Sequence, residues 1–197
     1  MLKAENITYR YHHKQPYILD NVSLSIADGE IVGLSGPSGR GKTTLAKLLA
    51  GYLKPLSGTV TLDNMPLPSK GYNPIQLIFQ HPELAINPRW RIRQVLGEAQ
   101  SPKNDYLHRL SLDTAWLDRY PHELSGGELQ RVAVARVLNE NTRYFIADEM
   151  TAMLDAVTQA QIWDAVLEHA RLYNMSIVMI SHDDALLAAI CDRVVVV

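Results

Sequence analysis

The sequence has almost no cysteine: Cys191 stands alone among 197 residues. A disulfide within the chain is therefore impossible, and the chain is expected to be cytosolic, with Cys191 a small apolar filler. Charge of one sign is lacking too. Nineteen Lys and Arg stand against 21 Asp and Glu, a formal net charge of −2. That balance argues against a general nucleic-acid coat, although it leaves room for a local basic groove. No apolar run approaches the roughly 18 residues of a membrane span. The longest, such as Ser176–Ser181 and Val194–Val197, are strand-length. The start, Met1-Leu2-Lys3-Ala4-Glu5-Asn6, lacks the basic-then-apolar order of a signal peptide. Work at a membrane is thus expected to go through a partner. Internal repeats and low-complexity tracts are absent. Because 47% of residues are apolar and 20% charged, disorder, collagen and disulfide scaffolds are excluded. The length suits one domain, or one domain with a subdomain.

What is present is an alternation of short apolar strands and longer helical patterns. Glu30–Ser35 is strand-like and enters a glycine-rich turn, and Lys42–Leu53 reads as a helix with apolar Leu45, Leu48 and Leu49. Tyr144–Ala147, Ser176–Ile180 and Arg193–Val197 read as buried-type strands, with helices at Ala156–Arg171 and Asp183–Ile190. That order predicts an α/β fold with a mostly parallel sheet. Leu2–Tyr9, Asn21–Ile26 and Gly58–Leu62 are short, β-rich and joined by turns such as Asp28-Gly29, which predicts an antiparallel flank. From about Pro82 to Leu124 prolines recur at 82, 88, 102 and 121 and no strongly apolar strand occurs. Short helices at about Ile92–Ala99 and Asn104–Leu110 are expected there, forming a small helical lobe.

Gly36-Pro37-Ser38-Gly39-Arg40-Gly41-Lys42-Thr43-Thr44 matches G-x-x-x-x-G-K-[ST] in full, between a strand and a helix. Glycines let the backbone wrap a phosphate with its N–H groups inward, and the helix N-terminus adds a positive dipole. Lys42 would reach the β- and γ-phosphates, and the Thr43 hydroxyl would ligate Mg²⁺. The loop predicts a nucleoside triphosphate site without choosing between kinase, GTPase, helicase and transport ATPase. A guanine reader of the N-K-x-D type is absent from the sequence.

Arg143–Glu149 is an apolar strand ending in two acids. A strand end beside a phosphate loop is where ligands collect in open α/β sheets. Asp148 can hold Mg²⁺ there; strand alternation would turn Glu149 to the other side of the pleat, free to polarise an attacking water. Ser181-His182-Asp183 follows another strand, so the His182 ring could donate to a γ-phosphate, although a lone histidine after a strand is more often structural. The other six histidines show no zinc-ligand spacing. In Leu124-Ser125-Gly126-Gly127-Glu128-Leu129-Gln130, Ser125 and Glu128 have capping-box spacing and predict a helix over about Gly126–Asn139. Two glycines in its first turn cost helix stability, which a purely structural cap would not choose. They leave an uncluttered N-terminus with a serine hydroxyl, suited to gripping phosphate. Since the phosphate loop already holds one nucleotide, a second such element is most useful if it closes on another subunit's nucleotide.

Taken in order, GPSGRGKTT, Gln80 in LIFQHP, LSGGELQ, YFIADE, Met153-Leu154-Asp155 and the SHD around His182 resemble the ATP-binding-cassette (ABC) ATPase family, over essentially the whole chain. The resemblance implies a P-loop NTPase: a nucleotide-binding core with its β flank at 1–81 and 125–197, and a helical subdomain at about 82–124. It implies that Tyr11 stacks on adenine, with Tyr9 as its rival, and that Gly36, Ser38, Gly39, Gly41, Lys42, Thr43 and Thr44 bind ATP. Thr43, Gln80 and Asp148 would hold Mg²⁺, with Gln80 sensing partner contact. Glu149 matches the catalytic carboxylate and His182 the switch that holds the γ-phosphate. Ser125, Gly126 and Gly127 would bind ATP across a head-to-tail dimer, and Asp155 would lie at that interface.

His81-Pro82, Asn87-Pro88-Arg89 and Arg119–Ser125 look like the branch serving importers of oligopeptides, dipeptides and nickel or related metal chelates. That branch implies an ATPase subunit at the cytoplasmic face of the membrane, peripheral, paired with a paralogue or a second copy. Its further partners would be a membrane-spanning permease and, indirectly, a solute-binding protein, with no nucleic acid. A soluble ABC-type switch on nucleic acid or ribosomes is the alternative, but tandem cassettes, a coiled-coil insertion and basic arms are missing. A regulatory module that grips ATP without cleaving it is opposed by the intact Glu149 and His182. Met150 departs from the family, which usually has a proline after the catalytic glutamate; it is expected to loosen that turn. The family also normally continues beyond the Arg193–Val197 strand with a hairpin and further helices.

Overall fold

A computed structural model describes residues 1–98 and 108–197. The chain divides into two compact units, Met1–Leu77 with Arg143–Asp148 and Met175–Val197, and Ile78–Thr142 with Glu149–Asn174. The segment expected as a helical lobe, 82–124, falls within the second.

The first unit is built on two sheets. Strands β1 (Leu2–Tyr9), β2 (Leu19–Ile26), β4 (Ser57–Leu62) and β5 (Met65–Pro66) form an antiparallel sheet in the order β2-β1-β4-β5. This is the flank that the short turn-linked β segments predict. Strands β3 (Ile31–Ser35), β6 (Ile75–Ile78), β7 (Tyr144–Asp148), β8 (Ser176–Ile180) and β9 (Arg193–Val196) form the second sheet, ordered β6-β7-β8-β3-β9. Pairings β7 with β8, β8 with β3 and β3 with β9 are parallel. Every residue of β7 and β8 is buried, as strands covered on both faces must be. Order 7-8-3 brings the carboxyl ends of β3, β7 and β8 side by side, and there the chemistry-bearing loops begin. The turn entering β3 is pinned from β8: Ser176 Oγ donates to the Ala27 carbonyl at 2.8 Å and accepts the Gly29 N–H at 2.9 Å.

Helix α1 (Lys42–Leu49) follows β3 and ends four residues before its expected stop at Leu53. Gly51 adopts φ 78°, and the N–H groups of Tyr52 and Leu53 turn back to the Lys47 carbonyl, a glycine stop that helical periodicity does not reveal. Helix α5 (Asp184–Ile190) is capped by Asp183, whose side chain accepts the Leu186 N–H at 3.0 Å. Cys191 is half-buried beside Gly33, and burial pushes its thiol up to about 11, so it is inert filler at neutral pH.

The second unit holds α2 (Ile92–Gly97), α3 (Gly126–Val137) and α4 (Ala156–Tyr173) with short 3₁₀ turns at Pro82–Leu84, Thr114–Trp116 and Pro121–Glu123. The helix expected over Asn104–Leu110 lies mostly outside the described residues. Leu129, Val132, Ile162, Trp163 and Val166 form the apolar interior of the unit. Helix α4 runs two residues past its expected end because Asn174, at φ 52°, supplies the left-handed stop. Helix α3 stops at Val137, two residues early, where Thr142 Oγ1 takes over the Val137 carbonyl at 2.6 Å.

Candidate active site

The phosphate-loop segment leaves β3 at Ser35 and re-enters regular structure at Lys42. Two of its glycines are sterically required. A Cβ on Gly36 would lie 2.6 Å from the Val197 carbonyl oxygen, and one on Gly41 would meet Ile18 and Leu19 inside 3.0 Å. Both have positive φ, 140° and 98°, which a side chain would strain. Gly41 caps α1 with no side-chain acceptor on the helix's first amides. Those amides stay directed at the loop, the arrangement that attracts an anion. Lys42 is 5% exposed and folds back into the same loop, donating from Nζ to the carbonyls of Gly36 at 2.6 Å and Pro37 at 3.1 Å. Its charge is thereby held inside the curve of the loop.

Asp148 ends β7 and is buried; its Oδ1 accepts the Thr43 hydroxyl at 3.2 Å. One hydroxyl and one carboxylate, adjacent and hard, form a donor set that suits Mg²⁺. Tyr11, in the loop after β1, puts its hydroxyl 3.2 Å from Thr44 Oγ1. Tyr11 is 45% exposed, whereas its rival Tyr9 is half-buried within β1. The first unit thus assembles Tyr11, the 36–44 segment and Asp148. His182, also in this unit, stands exposed between β8 and the α5 cap.

Glu149 does not follow the pleat. The strand ends at Asp148, and Glu149 has φ 51°, in the left-handed region. Alternation along β7 is therefore not what sets it apart from Asp148; a backbone turn does, at a cost of about 1–3 kcal/mol characteristic of functional strain. The turn that follows is held without a proline. Met150 is buried, the Ala152 N–H bonds the Glu149 carbonyl at 3.1 Å, and Trp163 Nε1 donates to Thr151 Oγ1 at 3.3 Å. Gln80 is half-buried just past β6, in the second unit with Glu149.

Ser125 and Glu128 make the expected capping box, with Ser125 Oγ accepting the Glu128 N–H at 3.3 Å and Glu128 Oε2 accepting the Ser125 N–H at 2.6 Å. One amide of the α3 terminus is therefore already spoken for, and the Ser125 hydroxyl also interacts with the Glu128 carboxylate. The bond from the Ser125 N–H holds the Glu128 carboxyl below its ordinary range. Neither glycine is needed by the fold around it: a Cβ on Gly126 would meet nothing within 4 Å, and one on Gly127 only Leu154 at 3.5 Å. Ser125, Gly127 and Asp155 line one cavity of about 320 Å³. Asp155 caps α4, accepting the N–H groups of Thr158 at 2.9 Å and Val157 at 3.0 Å, and these bonds lower its carboxyl. Arg131 lines the same cavity and was not singled out by sequence. It donates to Gln161 Oε1 at 2.9 Å, the Leu110 carbonyl at 2.9 Å and Thr158 Oγ1 at 3.2 Å. Its place one turn after Glu128 on the same helix face was the available signal.

A family profile described as ABC transporter matches residues 19–152, which contain the phosphate loop, the α3 cap and Asp148-Glu149. The chain belongs to the ABC transporter family. It is an ATPase of that family, with the P-loop NTPase cassette fold. Nickel import system ATP-binding protein NikE from Staphylococcus aureus is 35% identical over 211 aligned positions, covering 100% of this chain and 86% of NikE. Among solved structures, the dimeric structure of MJ0796, a bacterial ABC transporter cassette, superposes with a TM-score of 0.84 at 26% identity, covering 100% of this chain and 94% of that one. MJ0796 in a post-hydrolysis dimer bound to ADP and Pi gives a TM-score of 0.83 at 26% identity and the same coverage. CbiO1 from Clostridium perfringens, part of the ABC transporter complex cbiONQ, gives 0.79 at 28% identity, covering 99% and 83%. As an ABC cassette the chain binds ATP or ADP, and among its described residues no helix is long and apolar enough to cross a membrane.

Proposed function

We propose that this ATPase energises a membrane importer of nickel or related metal chelates, with oligopeptides and dipeptides the neighbouring substrate class. The supporting observation is the pairing of two phosphate-gripping elements in one chain. One is the 36–44 loop. The other is the α3 N-terminus, whose Gly126 fills no requirement of its own unit. The similarity to NikE supports nickel over peptide. By its motifs the chain reads as one cassette, with a nucleotide-binding core at 1–81 and 125–197 and a helical subdomain at about 82–124. This functional division differs from the two compact units, where 126–142 and 149–174 group with the helical segment.

Lys42 and the loop amides bind the β- and γ-phosphates, and Tyr11 takes the adenine face. Thr43 and Asp148, with Gln80, would hold Mg²⁺, which when bound would neutralise charge on the phosphate oxygens. Glu149 orients the attacking water and accepts its proton, while His182 donates to the γ-phosphate. Ser125, Gly126 and Gly127 grip the nucleotide held by a second, head-to-tail cassette, a paralogue or another copy, with Asp155 at the seam. Closure of that pair is passed to a membrane-spanning permease from the cytoplasmic face, a solute-binding protein delivering the solute on the other side. Reconstituted in vesicles with permease and solute-binding protein, the subunit should drive ATP-dependent uptake of radiolabelled nickel. Phosphate release with neither nickel nor peptide uptake would contradict the reading.

A further inference from the structure

The loop carrying Tyr11 is tied together by its own first residue. At its base the Ile18 N–H bonds the Tyr9 carbonyl at 2.8 Å, and within it the Gln15 N–H bonds the His12 carbonyl at 3.0 Å. Arg10 bridges the two limbs. Its guanidinium lies over the Tyr17 ring, 4.8 Å from the centroid, and Nη1 donates to the Gln15 carbonyl at 3.5 Å. Its Nε is buried with no hydrogen-bond partner, an unfavourable placement that optimising a surface arginine would avoid. Tyr11, next in the chain, stands edge-on to Tyr9 with centroids 5.2 Å apart and planes at 90°, and its hydroxyl meets Thr44. A half-exposed ring on a loop would ordinarily sample several rotamers, and a ligand must then freeze it. Here Arg10 ties the loop and the ring rests against Tyr9 and Thr44.

We propose that Arg10 and Tyr17 are a positioning pair that presets Tyr11 as the platform for the base, and so set how much affinity comes from the base rather than the phosphates of a nucleoside triphosphate. The inference rests on Tyr11 being that platform. Neither residue touches the nucleotide; both act through the loop. Removing the pair leaves the 36–44 segment intact but unties the loop that sets the ring against Tyr9 and Thr44.

Calorimetry with a non-hydrolysable ATP analogue and with inorganic tripolyphosphate separates the two contributions. A base–aromatic stack is worth roughly 5- to 150-fold in affinity, so Arg10→Ala and Tyr17→Leu should each weaken the analogue by about fivefold or more. Tripolyphosphate binding should stay unchanged. Tyr17→Phe keeps the ring under the guanidinium and should bind the analogue within about twofold of wild type. Arg10→Ala added to Tyr11→Ala should cost nothing more. Equal weakening of both ligands, or a loss in Tyr11→Ala that Arg10→Ala does not share, overturns the positioning pair. If Tyr11→Ala itself leaves the ratio of the two affinities unchanged, the platform reading fails instead.

Discussion

At the scale of single residues the site is a matter of which donors the backbone delivers to one place. Lys42 lies inside its loop and Thr43 on Asp148, because the G-x-x-x-x-G-K-[ST] spacing encodes a conformation as well as residue types. Replacing Lys42 with Ala should weaken ATP binding by about 10- to 150-fold, the range for losing a hydrogen bond to a charged group. Calorimetric affinity equal to wild type would contradict that role. Glu149 was legible as a carboxylate but not as a conformation. Period-two alternation holds only while a strand continues, and nothing in Asp148-Glu149-Met150 announces a left-handed residue. Arg131 was missed for a related reason. An arginine on a helix reads as a solvated charge until the partner helix is known, and its three acceptors come from Leu110, Thr158 and Gln161.

Among elements, α3 is the one whose sequence conflicts with its own stability. Gly126 has an ordinary helical backbone and open space at its Cβ, so Gly126→Ala should fold well and stabilise the helix by up to about 1 kcal/mol. Turnover should nonetheless fall, since a methyl group would stand at the proposed grip on a partner's phosphate. A raised melting temperature with reduced phosphate release is the expected pair of results, and unchanged release would remove the phosphate-gripping role. Asp155 has a second duty that its motif conceals. It caps α4, so Asp155→Ala should cost about 1 kcal/mol of stability while Asp155→Asn, itself a good cap, keeps most of it in urea melts. Element existence was readable along most of the chain from apolar runs and cap spacing. Helix ends were less so: Gly51 and Asn174 act through left-handed backbone and Thr142 through its side-chain hydroxyl, none of which apolar periodicity reports.

For the whole molecule, a charged cluster at the start of β7 contributes to acid behaviour, beside the lowered carboxyls of Glu30, Glu128 and Asp155. Arg143 donates to Asp63 at 2.6 Å and Asp28 at 3.2 Å, and the Tyr144 hydroxyl donates to Asp28 at 2.5 Å. The Tyr144 bond lowers the Asp28 carboxyl, and Arg143 followed by the Met1 amine brings Asp63 down to about 2. Below 3.8 the unfolded chain takes up protons that the folded chain refuses. The stabilisation is therefore complete well above that pH and is lost as pH falls toward about 2. Asp63→Asn should flatten the loss of urea midpoint over that window, and added salt should shrink the effect because Asp63 is exposed. The cassette order was readable end to end, since each motif sits at a strand end or helix start where it can act. Glu149 is the proposed carboxylate that activates water against ATP held by the 36–44 loop. The most direct test compares Glu149→Gln with wild type, in the presence of partner cassette and permease, for ATP affinity and phosphate release. The account predicts unchanged affinity with release reduced to background; release at the wild-type rate would contradict it.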